Sequence, residues 1–62
     1  MKAAVGDYIR FNDPETGLVV VSKVVGLNTV LTQYHRTEDG YFISERDLGI
    51  DDVLLASEVE VG

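Results

Sequence analysis

Apolar and polar positions in this chain follow the pattern of short strands, and the densest stretch is Gly17 to Arg36, GLVVVSKVVGLNTVLTQYHR. Val19, Val20, Val21, Val24, Val25 and Val30 are β-branched, a shape that suits a pleated, half-buried surface better than a helix. Gly26-Leu27-Asn28 interrupts the run with turn-forming residues, so the stretch reads as two antiparallel strands over 18–25 and 29–36. Residues 8–11, where apolar and polar side chains nearly alternate, predict a strand before them. The connection Asn12-Asp13-Pro14-Glu15-Thr16-Gly17 is a turn in which Asn and Asp bond locally, Pro14 sets φ and Gly17 accepts positive φ.

Thr37-Glu38-Asp39-Gly40 predicts a hairpin turn through its Asp-Gly pair, and residues 41–43 a short fourth strand. Ser44 can then cap a single helical or 3-10 turn that Gly49 ends, with Asp47 reaching back to the cap. The last strand is expected over 53–61, where Glu58-Val59-Glu60-Val61 alternates. These elements place Val5, Ile9, Phe11, Val19, Val21, Val24, Val30, Leu31, Phe42, Leu48, Ile50 and Leu54 in the core. The triple valine breaks the alternation. It requires a central strand, a bulge, or a face covered by a second copy of the chain, for which Val19-Val20-Val21 and Val53-Leu54-Leu55 are the candidate patches.

A chain of 62 residues is one small domain, spanning 1–62, with little surface to hide. It has no cysteine, which rules out disulfides and thiolate metal sites, and one histidine, His35, so there is no histidine cluster. No run of about 18 apolar residues is present, and Lys2 before Ala3-Ala4 does not make a signal peptide, so a soluble, cytoplasmic protein is expected.

Charge changes the picture most. Residues 1–31 carry three carboxylates and three cations, whereas residues 32–62 carry eight carboxylates and two cations, so the whole net charge of −6 lies in the second half. Nucleic acids and anionic membranes both need clustered Lys and Arg, and both are disfavoured as partners.

Little in the chain is suited to catalysis, and no cofactor or metal is expected. No nucleophile-elbow pattern surrounds Ser44 or Ser57, and the glycines are too scattered to cradle a phosphate. His35 is expected at a strand end, solvated or packed on Tyr34 or Tyr41. The Asp39-Gly40 segment lacks the alternating acids of a calcium loop. Carboxylates spaced along a rigid β surface can instead imitate DNA phosphates and occupy a basic groove, as small acidic inhibitors of phages and mobile elements do. Tyr34, Tyr41 and Phe42, near Arg36 and Arg46, form a further candidate surface, because Tyr and Arg are enriched at binding hot spots. The expected partner-binding set is therefore Tyr34, Arg36, Tyr41, Glu45, Asp47, Asp51 and Asp52. The alternative is a nucleic-acid-binding module using the side of Lys2, Arg10 and Lys23.

Five short strands with one helical turn before the last resemble the SH3-like barrels, including KOW- and Tudor-type modules. VGDYIRFNDPETGLVV resembles the entry of small bacterial and phage proteins of that kind, and the residues that carry the resemblance are Gly6, Asp7, Phe11, Gly17, Val20 and Asn28. The resemblance covers residues 5–36 and implies an all-β, five-stranded SH3-like barrel. The basic residues of an RNA-binding KOW loop are missing. A second stretch, DGYFISERDLGIDDVLL, is similar to a passage of the swapped-hairpin transcription regulators, but the span from Ile43 to Leu48 is too short for their helix.

Overall fold

In the computed structural model, which describes residues 3–59, the chain forms five antiparallel strands. They are β1 (Tyr8–Asn12), β2 (Val19–Thr29), β3 (Gln33–Thr37), β4 (Phe42–Ser44) and β5 (Val53–Leu54). The sheet order is β4-β3-β2-β1-β5, so the first four strands form a meander and β5 returns to pair with β1. Short 3-10 turns lie at Glu45–Asp47, Ile50–Asp52 and Ala56–Glu58. The all-β expectation holds. The expected closed barrel does not, because the end strands β4 and β5 are not paired with each other.

β2 is the central strand and carries a bulge. Ile9 pairs with Ser22 and Phe11 with Val20, so Val20, Ser22 and Val24 face inward while Val19 and Val21 face out. Between Val24 and Gly26 the register to β3 shifts by one residue, and Val25 is the bulged residue, left exposed. A bulge kinks a strand and reverses which parity faces the core. Beyond it Leu27, opposite buried His35, turns inward. One strand can thus line the core for both β1 and β3.

The turn expected at Gly26-Leu27-Asn28 is therefore not a turn: these residues lie within β2, and the chain reverses at residues 30–32. Gly26 is buried within the strand, and the exposed Arg36 side chain lies over it, its flexible guanidinium end being the group a Cβ there would displace. The turn at 37–40 and the Ser44 cap are as expected. Gly40 has φ 92°, and Ser44 Oγ accepts from the Arg46 N–H. Asp47 does not complete the cap among the described residues. The last strand is shorter than expected: after Leu54 the chain enters the 3-10 turn Ala56–Glu58, and 60–61 lie outside the described residues.

The core consists of Ala3, Ile9, Phe11, Val24 and Leu48, with Val20, Leu27, Tyr41, Ile43 and Val53 packed against it. Val5, Val19, Val21, Val30, Leu31, Phe42 and Ile50 were expected inside and are exposed; Leu54 is half-buried. For Val19 and Val21 the reason is the pairing register, which turns Val20 and Ser22 inward. Val30 and Leu31 lie in the reversal at 30–32 between β2 and β3 and not in a strand. His35 is fully buried rather than solvated. It accepts from the Ala3 N–H at Nε2 (3.3 Å) and donates from Nδ1 to the Ile43 carbonyl (3.3 Å), pinning residue 3 to the β3–β4 ladder. Neutral imidazole, protonated at Nδ1, satisfies both bonds.

Candidate functional site

The connection from β1 to β2 is built on Asp13. Its Oδ1 accepts from the N–H groups of Glu15 (2.7 Å) and Thr16 (3.1 Å), and its carbonyl accepts from the Gly17 N–H (2.8 Å). Asn12 closes the far side by donating to the Gly17 carbonyl at 3.0 Å, and Gly17 takes φ 73°, open to glycine without strain. The Tyr41 hydroxyl donates to the other Asp13 oxygen at 2.6 Å, which joins this loop to the start of β4.

That hydroxyl, and then the loop N–H groups, hold the Asp13 carboxyl below its ordinary value of 3.8, because all of them stabilise the anion. The same bond, assisted by burial, pushes the Tyr41 phenol above its ordinary 10.0. The Tyr41 ring meets Phe11 edge-on, with centroids 4.8 Å apart.

The linked loop and strand leave a groove of about 360 Å³ between them, lined by Phe11, Asn12, Pro14, Phe42, Ile43 and Asp47. Phe42 is 50% exposed and stacks on Tyr34, with centroids 4.7 Å apart and planes 19° from parallel. Asp47 stands exposed on the 3-10 turn after β4, and its carboxylate makes no hydrogen bond or ion pair among the described residues. The groove is thus aromatic and aliphatic with two polar members, Asn12 and the unengaged carboxylate of Asp47.

The seven expected site residues fall into two places. Tyr34, Arg36, Tyr41, Glu45 and Asp47 lie on β3, at the start of β4 and on the turn after it. Arg36 is exposed and lies over Gly26, and Glu45 is half-buried. Asp51 and Asp52 lie on the turn that precedes β5, the other end of the sheet order. Asp52 has structural work there, accepting from the Gly49 N–H at 2.7 Å and pairing with Arg10 at 3.5 Å. Asp51 accepts from Arg10 through its backbone carbonyl at 3.1 Å, and the residue is exposed.

Arg10 is therefore occupied by the acidic turn, which weakens the basic side proposed for phosphate contact; Lys2 lies outside the described residues. The groove-lining role of Phe11, Asn12, Pro14 and Ile43 was not legible, since no periodicity reports that a turn folds against a strand 30 residues away. Among the described residues no group of three or more His, Cys, Asp and Glu side chains could hold a metal ion. No helix among them is long and apolar enough to cross a membrane.

Comparison of the chain with known protein families, curated proteins and solved structures finds no match.

Proposed function

We propose that the chain is a non-enzymatic protein-interaction domain, a small acidic regulator or inhibitor that engages the basic surface of a nucleic-acid-binding partner. The observation that carries this reading is charge placement. The net charge of −6 falls in residues 32–62, where Asp47 and Asp51 are exposed. Exposed carboxylates carried on short 3-10 turns can meet a basic groove with little ordering of the backbone. The lack of cysteine suits work in the cytoplasm. We read the fold as an open relative of the SH3-like topology. Support comes from the four-strand meander, the bulged central strand, the 3-10 turns before β5 and the return of β5 to β1.

The test is capture from host lysate at low salt, paired with binding assays on DNA and RNA. A basic protein should be retained, eluted by salt, and lost with Asp51→Lys combined with Asp47→Lys, chiefly through a slower association rate. Asp52 is left untouched in this design because it braces the fold. Retention on nucleic acid with no basic protein captured would overturn the reading.

A second reading, self-association, is favoured by the outer face of β2, where Val19 is 65% and Val21 42% exposed beside Leu18. Monomers seldom leave such a patch wet. Val20 faces inward, so the informative substitution is Val21→Lys. It should abolish any rise of melting temperature with protein concentration. A monomeric mass across the micromolar range ends this reading.

A further inference from the structure

The acidic-regulator reading leaves open what the groove between the 12–18 loop and β4 is for. Its floor and walls are Phe11, Pro14, Phe42 and Ile43, and its polar members are Asn12 and Asp47. At about 360 Å³ it lies at the low end of ligand sites, suited to one long side chain. Three features define the occupant's chemistry. Phe42 presents a half-exposed ring already held by its stack on Tyr34, so its ordering cost is met before anything binds. Asp47 stands at the same groove with no partner among the described residues. The loop forming one wall carries Asp13 and Glu15 and no cation, and none of the groove's lining residues is basic.

We propose that this groove receives one arginine side chain from an extended segment of a basic partner protein, the guanidinium against Phe42 and within reach of Asp47. The guanidinium is planar, weakly hydrated and able to stack on an aromatic face while donating to a carboxylate, a combination that a lysine ammonium matches less well. The aliphatic part of the side chain covers Ile43 and Pro14. The loop wall does not have to form on binding, because Asp13 ties it internally and Tyr41 ties it to β4. This assignment rests on the proposal of a basic protein partner and adds the site and the residue type.

The experiment is an amide NMR titration of the full chain with the capped peptide Gly-Arg-Gly-Arg-Gly, and with the same peptide carrying citrulline for arginine. The arginine peptide should shift the amides of Phe11, Asn12, Phe42, Ile43 and Asp47, and the uncharged citrulline peptide should not. Phe42→Ala should weaken binding about tenfold and Asp47→Asn about threefold, the latter at an exposed position where the fold is not at stake. Shifts gathered around Asp51 and Asp52, or no shifts while a basic protein is still captured, would overturn the groove and leave the acidic-regulator reading standing. No shifts and no capture would remove both. Groove amides that move with chain concentration alone, or with single-stranded RNA, would assign the groove to a second copy or to nucleic acid and overturn the proposal.

Discussion

The two ends of β2 are connected to their neighbours in opposite ways. At its start, the loop from Asn12 to Leu18 is closed by polar side chains that bond its own backbone, and Tyr41 anchors it to the next hairpin. At its far end the chain reverses over 30–32 with one backbone bond, Val30 N–H to the Thr32 carbonyl (3.1 Å), and a side-chain bond between Thr29 and Gln33 (2.6 Å). Leu31 is 97% exposed there. Ile9 and Phe11, paired with Ser22 and Val20, fill the core at the first end, and it continues past the bulge to half-buried Leu27 opposite buried His35. The groove lies at the first end. A rigid loop beside a filled core can hold a binding surface in shape, whereas a reversal of exposed apolar residues contributes little to stability.

The largest effect that tests this contrast is in the core. Ile9→Ala should cost about 2–5 kcal/mol, because a fully buried side chain is lost in a domain with few others. Leu27→Ala, on the half-buried far side of the bulge, should cost less than half as much. Urea unfolding of both variants measures the difference, and equal losses would mean that the two ends are equally packed.

The same contrast explains what could be read in advance. Asn12, Asp13, Pro14 and Gly17 each carry a local conformational preference, so the first connection was legible residue by residue. The Asp39-Gly40 hairpin and the Ser44 cap were legible for the same reason. Val30 and Leu31 have no turn preference, and they form the second reversal only because pairing of β2 with β3 places them there. Gly26-Leu27-Asn28 has the composition of a better turn, yet these residues pair with Arg36, His35 and Tyr34 as part of β2, an alignment between strands that composition does not report. The inversion of Val19 and Val21 with Val20 and Ser22 has a similar origin. A one-residue difference in register decides the inner face, and Ser22 is accepted inside because its hydroxyl donates to Asp39 at 2.6 Å. The acidic half of the site was visible in the charge count. The groove was not, since it arises from the Asp13–Tyr41 contact across 28 positions.

A smaller effect should come from that contact. The Asp13 carboxyl lies below its unfolded value, so its stabilising contribution is complete above about pH 3.8 and is lost as pH falls through the lower folded value. The Tyr41 phenol lies above its ordinary value, so its contribution is complete below pH 10.0 and is lost as pH rises through the higher folded value. Tyr41→Phe keeps the ring against Phe11 and removes only the hydroxyl. Its melting temperature should fall below that of the parent at neutral pH, and the gap should narrow under acid once Asp13 is protonated. A gap unchanged from pH 7 to pH 2 would show that the loop is not held through this bond.

The smallest expected effect belongs to the far reversal. Leu31 is nearly as exposed in the folded chain as in an unfolded one, so a serine there gives up almost no burial. Two weak terms remain. Serine bonds locally in turns more readily than leucine, and removing an exposed leucine lowers the apolar surface open to association. Leu31→Ser should therefore change unfolding free energy by no more than about 0.5 kcal/mol in either direction, the range of surface substitutions that touch nothing. Asp13→Ala, the corresponding change in the other connection, leaves the N–H groups of Glu15 and Thr16 and the Tyr41 hydroxyl without their acceptor, and it should lower the melting temperature visibly. Thermal unfolding of the pair under one buffer separates the cases. A Leu31→Ser loss comparable to that of Asp13→Ala would mean that Leu31 is covered in solution. Its disappearance on dilution would identify the cover as a second copy of the chain, because only a bimolecular contact depends on concentration.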